Sequence, residues 1–206
     1  MTQQTYEPIR LVKPDEARGE AKELYDDIIK TKGKRWLVPL WGLFAHRPKL
    51  LRLWWELTKT LQIEPGKVPK DIMNSISLIC AVAADCARCV DNHQITLIEK
   101  LGFSQEHVEQ IRRLVENPAQ SQLPEKEKAT LLFAMKVGLG QTLEKEDFAK
   151  MRELGYEDEE LVEIISIALL ESGFSRHAIA VAAFEDGFEW PADHTPSEFY
   201  SKNVDK

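Results

Sequence analysis

Apolar residues recur at helical spacing through most of the chain, and this pattern predicts a protein built from helices. Leu24, Tyr25 and Ile28 share one side of the first such segment, and comparable stripes follow further along. No segment alternates apolar and polar residues as a half-buried strand would, so the predicted fold class is all-α, a multi-helix bundle. The predicted helices are Glu16–Lys30, Pro48–Leu61, Pro69–Ala83, Cys86–Leu101, Ser104–Val115, Glu125–Val137, Lys145–Leu154, Asp158–Leu170 and Phe174–Phe184.

The length of 206 residues is compatible with one helical domain, which we predict for residues 1–206. Residues 1–15 are polar and contain two prolines, so we expect an extended arm. Residues 69–116 hold the central helices, and residues 188–206 form a polar tail.

Two apolar segments, 76–78 and 165–167, align at an offset of 89 residues, which is compatible with a degenerate two-fold helical repeat. Two apolar helices align to some degree in any helical protein, so both interpretations stay open. The alignment pairs Cys86 with Ser175, Cys89 with Ala178, Arg88 with His177 and Asn74 with Glu163.

Charge and composition exclude several classes of function. The net charge is −7 and the pI is about 5.4, whereas a nucleic-acid partner usually needs a basic face. The apolar stretches are too short to cross a bilayer, and the N-terminus does not have the pattern of a secretory signal. With only three cysteines, the chain is not a disulfide scaffold. We therefore predict a cytoplasmic protein without a nucleic-acid or membrane partner.

Two of the cysteines, with a nearby histidine, form the strongest chemical signal. Cys86, Cys89 and His93 are spaced i, i+3 and i+7, so they share one face of a predicted helix. Asp85 is a suitable N-cap, which would place Cys86 where the helix dipole favours the thiolate. Arg88 adds a positive charge with the same effect. The helix terminus favours Cys86 as the attacking thiol, whereas His93 favours Cys89.

Simpler interpretations of this cluster exist. The cysteines could be small residues in a tight helix start, with His93 on an apolar face. A zinc site usually needs four ligands, and the sequence offers no second pair, so we expect no metal. We expect no bound cofactor other than the redox-active pair Cys86–Cys89. Cys80 stands in an apolar run and is typical of an inert buried thiol.

The segment 69–102 resembles the alkyl hydroperoxidase D-like, or carboxymuconolactone decarboxylase-like, family. The shared pattern is an apolar helix, then a C-x-x-C-x-x-x-H motif at 86–93, then a helix that ends in Leu101-Gly102. Residues 46–51, followed by Trp54, are similar to the peroxidase-related branch. The resemblance covers residues 36–115 well and the remainder only as a helical continuation.

The resemblance implies a helical homo-oligomer, a trimer or hexamer, with antioxidant thiol peroxidase activity of the peroxiredoxin type. It implies that Cys89 attacks the hydroperoxide, that Cys86 resolves the product, and that His93 helps to move protons. It also implies a dithiol reductant, of which a lipoyl-type protein is the family's example.

One departure from the family concerns the proton relay. The family carries a glutamate twelve residues before the first cysteine, where this chain has Asn74. An amide orients water but does not accept a proton at neutral pH. Three alternatives follow. Arg88 activates the thiol instead; Glu163, Asp85 or Asp91 replaces the relay carboxylate; or Asn74 weakens the peroxidase activity and the dithiol serves another electron acceptor. Each of these carboxylates also has a purely structural explanation.

Two other functions compete with an oxidoreductase that acts on peroxide. One is a decarboxylase like other members of the same family, which generally do not depend on the C-x-x-C motif. The other is a non-enzymatic helical oligomer or binding module with residual thiols, which the missing glutamate favours. Only the peroxidase needs both Cys86 and Cys89 for turnover.

Overall fold

The computed structural model describes residues 9–181, and the described part of the chain contains helices, turns and loops but no strand. The prediction of an all-α fold is confirmed. The α-helices are α1 Gly19–Lys32, α2 Pro39–Phe44, α3 Pro48–Thr58, α4 Lys70–Ala83, α5 Ala87–Ile95, α6 Gln105–Glu116, α7 Glu125–Gly138, α8 Lys145–Glu153 and α9 Asp158–Val181. Wider π-helical turns, Lys59–Ile63 and Thr96–Lys100, continue α3 and α5, and short 3₁₀ turns lie at Lys34–Trp36 and Pro118–Gln120.

The described residues group into two compact units, one of residues 9–57 with 177–181 and one of residues 58–176. The single domain stays a prediction. In the first unit, Tyr25 of α1 and Trp55 of α3 are buried. The Trp55 indole donates to Asp27 at 2.6 Å, and the Tyr25 hydroxyl donates to the Val12 carbonyl at 2.8 Å. These bonds satisfy the polar end of each aromatic side chain.

Helix α4 is the centre of the second unit and packs against α5, α6 and α7. Ile76, Leu78, Ile79 and Ala81 are fully buried, so α4 is apolar on more than one face, as expected of a helix surrounded by others. α4 and α7 meet at Gly138, where an added Cβ would lie 3.0 Å from the Cys80 Sγ. A glycine therefore allows this close approach.

Two predictions of helix extent are wrong. The predicted helices Asp158–Leu170 and Phe174–Phe184 are one continuous helix as far as Val181, and residues 182–184 lie outside the described part. Gly173 costs a helix about 1 kcal/mol, and the burial of Ile164, Ile167 and Leu170 on the same helix offsets that cost. The second error is α2, which begins with Pro39 at its first position and was absent from the predicted helices.

Candidate functional site

The turn between α4 and α5 places the two cysteines. Asp85 has a left-handed backbone with φ 56°. The Asp85 N–H bonds the Val82 carbonyl at 3.0 Å, and the Cys86 N–H bonds the Ala81 carbonyl at 3.0 Å. This pair of bonds is a Schellman motif that ends α4 at Asp85, a type of residue that tolerates the left-handed region. The prediction of Asp85 as the N-cap of α5 is therefore wrong by one residue.

Cys86 is itself the N-cap of α5, and Cys89 lies in the first turn of that helix. The two sulfurs form a disulfide, with a Cα–Cα distance of 5.3 Å that is typical of such bonds. Cys86 is 3% exposed and Cys89 is 8% exposed. Once the bond is reduced, both thiols belong to the first turn of the helix or its N-cap, where the positive end of the helix dipole favours the thiolate.

His93 lies one turn beyond Cys89 on α5 and contacts a carboxylate that sequence reasoning missed. Its Nε2 is 2.9 Å from Oε2 of Glu171, a buried residue of α9. The second carboxylate oxygen, Oε1, accepts from the Ser175 hydroxyl at 3.3 Å. A carboxylate acceptor implies that Nε2 carries the hydrogen in this pair, which leaves Nδ1 as the basic nitrogen of a neutral ring.

The third thiol, Cys80, belongs to the core. Burial raises the pKa of the Cys80 thiol, and the negative charge of Glu171 raises it further. The Cys80 Sγ donates weakly to the Ala134 carbonyl at 3.7 Å. These observations agree with the interpretation of Cys80 as an inert thiol, because reactivity belongs to the thiolate.

The other predicted relay residues lie elsewhere in the second unit. The Asn74 amide donates to the Lys70 carbonyl, one turn earlier in α4, at 2.8 Å. Oε2 of Glu163 accepts from the backbone N–H groups of Lys67 at 2.8 Å and Val68 at 3.2 Å, so this carboxylate holds the loop before α4. Neither side chain contacts His93 through these bonds.

Charged residues around the motif divide into exposed and buried ones. Asp85 is exposed at the α4–α5 turn, and Arg88 is half-buried at the second position of α5. Asp91 is buried. A buried carboxylate on the helix that carries the dithiol needs polar partners to be stable there.

One signal in the sequence could have identified Glu171. Glu171 follows Leu169-Leu170 in an apolar helix, so the sequence indicates that it is buried. Because a glutamate is almost never fully buried without a partner, a partner was to be expected. What the sequence could not supply was the partner, since His93 precedes Glu171 by 78 positions.

A metal would need a cluster of ligands. Within residues 9–181, no group of three or more His, Cys, Asp or Glu side chains is arranged to hold one.

The helical arrangement is shared with several solved structures. An alkylhydroperoxidase core structure, an uncharacterized peroxidase-related protein from Ralstonia eutropha JMP134, aligns over 85% of this chain and 91% of its own, with a TM-score of 0.66 and 24% identity. The fold is that of the alkylhydroperoxidase core. The predicted resemblance is thereby confirmed at the level of fold.

Two further structures have this alkylhydroperoxidase-like fold. A peroxidase-related protein from Silicibacter sp. TM1040 aligns over 87% of this chain and 93% of its own, with a TM-score of 0.68 and 17% identity. The debrominase Bmp8 aligns over 97% of both chains, with a TM-score of 0.69 and 17% identity. No protein-family model matches the sequence, and no curated protein matches it either.

Proposed function

We propose that this protein is a thiol-dependent peroxidase that reduces hydroperoxides through a Cys86–Cys89 dithiol–disulfide cycle. The observation that carries the proposal is the disulfide at the start of α5, with His93 one helical turn beyond it. Two cysteines that can bond without moving the helix can form a sulfenic acid on one sulfur and resolve it with the other.

The cycle begins on Cys89. Its thiolate forms an S–O bond with a peroxide oxygen, the O–O bond breaks, and the alkoxide leaves as an alcohol with a proton that His93 took from the thiol. Cys86 then attacks the Cys89 sulfur, the S–O bond breaks, and hydroxide leaves as water with the Cys86 proton. One hydroperoxide becomes an alcohol and water, and the dithiol becomes a disulfide.

Several features support Cys89 as the attacking thiol. Cys89 is the more exposed of the two residues, at 8% against 3% for Cys86, and it is four residues before His93, so the two share a helix face. The pair Cys86–Cys89 must then be reduced by thiol–disulfide exchange with a second dithiol. We propose a lipoyl-type dithiol protein for this role and a cytoplasmic homo-oligomer, a trimer or hexamer, as the working form.

The fold is compatible with this proposal. Two of the similar structures are described as peroxidase-related. Within the described residues, no helix is both long enough and apolar enough to cross a membrane.

The test is a thiol count with mass analysis on fully reduced protein after one equivalent of an organic hydroperoxide. Wild type, Cys86→Ser and Cys89→Ser are compared, and Cys80 remains in all three as an unreactive internal standard. We expect rapid Cys86–Cys89 disulfide formation in wild type and a trapped sulfenic acid only in Cys86→Ser. If all three proteins keep their thiols for hours, the peroxidase proposal is wrong.

A second candidate is reductive dehalogenation, which the similarity to the debrominase Bmp8 favours. A variant of that protein with a cysteine replaced by alanine has been crystallised with 2,3,4-tribromopyrrole. A dithiol could supply the two electrons that replace a C–Br bond with C–H, releasing bromide and a proton and leaving a disulfide. Bromide release from tribromopyrrole by reduced wild type, absent in Cys89→Ser, would favour this function over the peroxidase.

A further inference from the structure

Glu171 is a buried carboxylate whose two oxygens contact only a few groups among the described residues. It is 2% exposed, its Oε2 lies 2.9 Å from the Nε2 of His93, and its Oε1 accepts from Ser175. A buried glutamate is costly to keep unless a partner stabilises it, so the contact with His93 is a specific arrangement and not a surface coincidence.

We propose that Glu171 is the positioning residue of the dithiol site, and that it orients His93 through Nε2 in place of a carboxylate at position 74. This inference rests on the proposed thiol chemistry, and it names a residue of α9 as a component of a site otherwise built on α5.

The geometry gives Glu171 a role that Asn74 does not have. The Asn74 amide is bonded to its own helix at the Lys70 carbonyl, and an amide cannot take up a proton. Glu171, in contrast, engages Nε2 of the imidazole directly. That contact leaves Nδ1 to accept the thiol proton, either directly or through one water.

The charge balance favours the same role. When His93 accepts the Cys89 proton, the imidazolium forms next to the Glu171 carboxylate, and a neighbouring opposite charge favours the charged form of the ring. The carboxylate therefore stabilises the thiolate–imidazolium state that the proton transfer creates. Without the carboxylate, the imidazolium is left buried with no counter-charge on its Nε2 side.

Two other titratable groups lie near the carboxylate. Cys80 on α4 packs close enough for Glu171 to raise the pKa of its thiol, so this thiol is neutral at physiological pH. Arg176 lies further along α9, and its guanidinium bonds the Ser172 side chain and the Gly138 carbonyl. Within residues 9–181, the groups described as bonded to the carboxylate are His93 and Ser175.

The experiment measures how readily Cys89 is alkylated, which requires no peroxide. In the reduced Cys86→Ser background, the rate of iodoacetamide modification of Cys89 is followed from pH 5 to pH 10, with and without Glu171→Gln. We expect the substitution to move the pH midpoint upward by about 1 unit, because the imidazolium that stabilises the Cys89 thiolate loses its counter-charge, and the loss of an opposite charge shifts a titration by about 1 to 3 units. Glu171→Asp, which retains the charge, should restore part of the shift.

Glu127→Gln is the matched control, since Glu127 forms a second carboxylate–histidine pair in the same unit, with His107. We expect it to leave the alkylation midpoint of Cys89 unchanged. If Glu171→Gln alters the rate but not the midpoint, Glu171 is only structural and the proposal is wrong.

A measurement on the unmodified protein keeps the proposal testable if Glu171→Gln does not fold. Nitrogen chemical shifts of the His93 ring should show the neutral form protonated at Nε2, and protonation at Nδ1 would contradict the proposal. If hydroperoxide does not oxidise the wild-type thiols but Glu171→Gln still moves the alkylation midpoint of Cys89 upward, only the proposed peroxidase function is wrong. If hydroperoxide oxidises the wild-type thiols as expected but Glu171→Gln leaves the alkylation midpoint of Cys89 unchanged, only the role of Glu171 is wrong.

Discussion

The second unit contains two histidine–carboxylate pairs of nearly equal length and different surroundings. His93 lies 2.9 Å from Glu171, with side-chain exposures of 13% and 3%, whereas His107 lies 2.8 Å from Glu127, with exposures of 28% and 11%. Only His93 shares a helix with the dithiol. The two pairs therefore differ in burial and in the group one helical turn away, and hardly at all in the length of the bond.

The second pair has a structural explanation. His107 is in the first turn of α6, where Ser104 caps the helix by accepting from the His107 N–H at 3.1 Å. The Phe103 ring packs edge-on against the imidazole at a centroid distance of 4.6 Å. The bond to Glu127 then joins the start of α6 to α7. No cysteine adjoins this pair along α6.

The largest expected difference between the pairs concerns the rate of disulfide formation with hydroperoxide. His93→Ala should slow it about 10²- to 10⁴-fold, which is the usual contribution of a positioned acid–base group. His107→Ala should leave the rate within about twofold, because that ring is remote from the proton transfer. Stopped-flow measurement of Cys86–Cys89 disulfide formation checks both, and equal losses in the two variants would remove the distinction.

A second difference is expected in stability. His93→Ala leaves Glu171 buried without its nitrogen partner, and breaking such a pair costs about 3 kcal/mol of the free energy of unfolding. His107→Ala should cost about 1 kcal/mol, since that pair is more exposed to water. Urea denaturation of reduced protein at pH 6 gives both values. A smaller loss in His93→Ala than in His107→Ala would contradict the assignment of Glu171 as an ion held by His93.

The Ser175 hydroxyl has no described counterpart at the second pair, and its removal should sharpen the comparison. Ser175→Ala deletes the bond to Oε1 of Glu171, which is worth about 1 kcal/mol and should slow disulfide formation about fivefold. Ser172→Ala is the matched control, because the Ser172 hydroxyl bonds the Gly138 carbonyl at 2.7 Å. We expect this control to lower stability and to leave the rate unchanged in the stopped-flow assay.

The smallest expected difference is in the response to salt. Raising NaCl from 0.05 M to 1 M should reduce the stability loss caused by Glu127→Gln by about 0.5 kcal/mol, because screening acts on exposed charges. The loss caused by Glu171→Gln should change less, since salt does not reach a buried pair. Urea denaturation at pH 6 and both salt concentrations gives the two differences, and an equal response would indicate equal exposure in solution.

Helices with a periodic stripe of apolar residues were predicted accurately from the sequence. α4, α6, α7 and α8 begin and end within about two residues of expectation, because proline, glycine and Ser104 mark their ends. The errors fall where tertiary packing overrides local preference. Gly173 lies inside a continuous α9, and a short α2 forms from a segment that has a proline near its start.

The site was only half visible in the sequence. Cys86, Cys89 and His93 follow from spacing along one helix, and local geometry connects them. Glu171 comes from a helix far along the chain, and a single sequence does not show which distant helices pack together. The N-cap of α5 was predicted one residue too early, at Asp85 and not at Cys86. Aspartate suits both an N-cap and a left-handed residue at the end of a helix, and Asp85 is the latter.

The reactivity of Cys80 can report on the separation of α4 from α7. This thiol lies between α4 and α7, beside the Ala134 carbonyl and Gly138, and burial raises its pKa. A labelling reagent can therefore reach it only when the two helices separate, so its rate of modification counts opening events and not surface reactivity. In reduced protein at pH 8, we expect two cysteines to react at once and the third to react at the pace of unfolding.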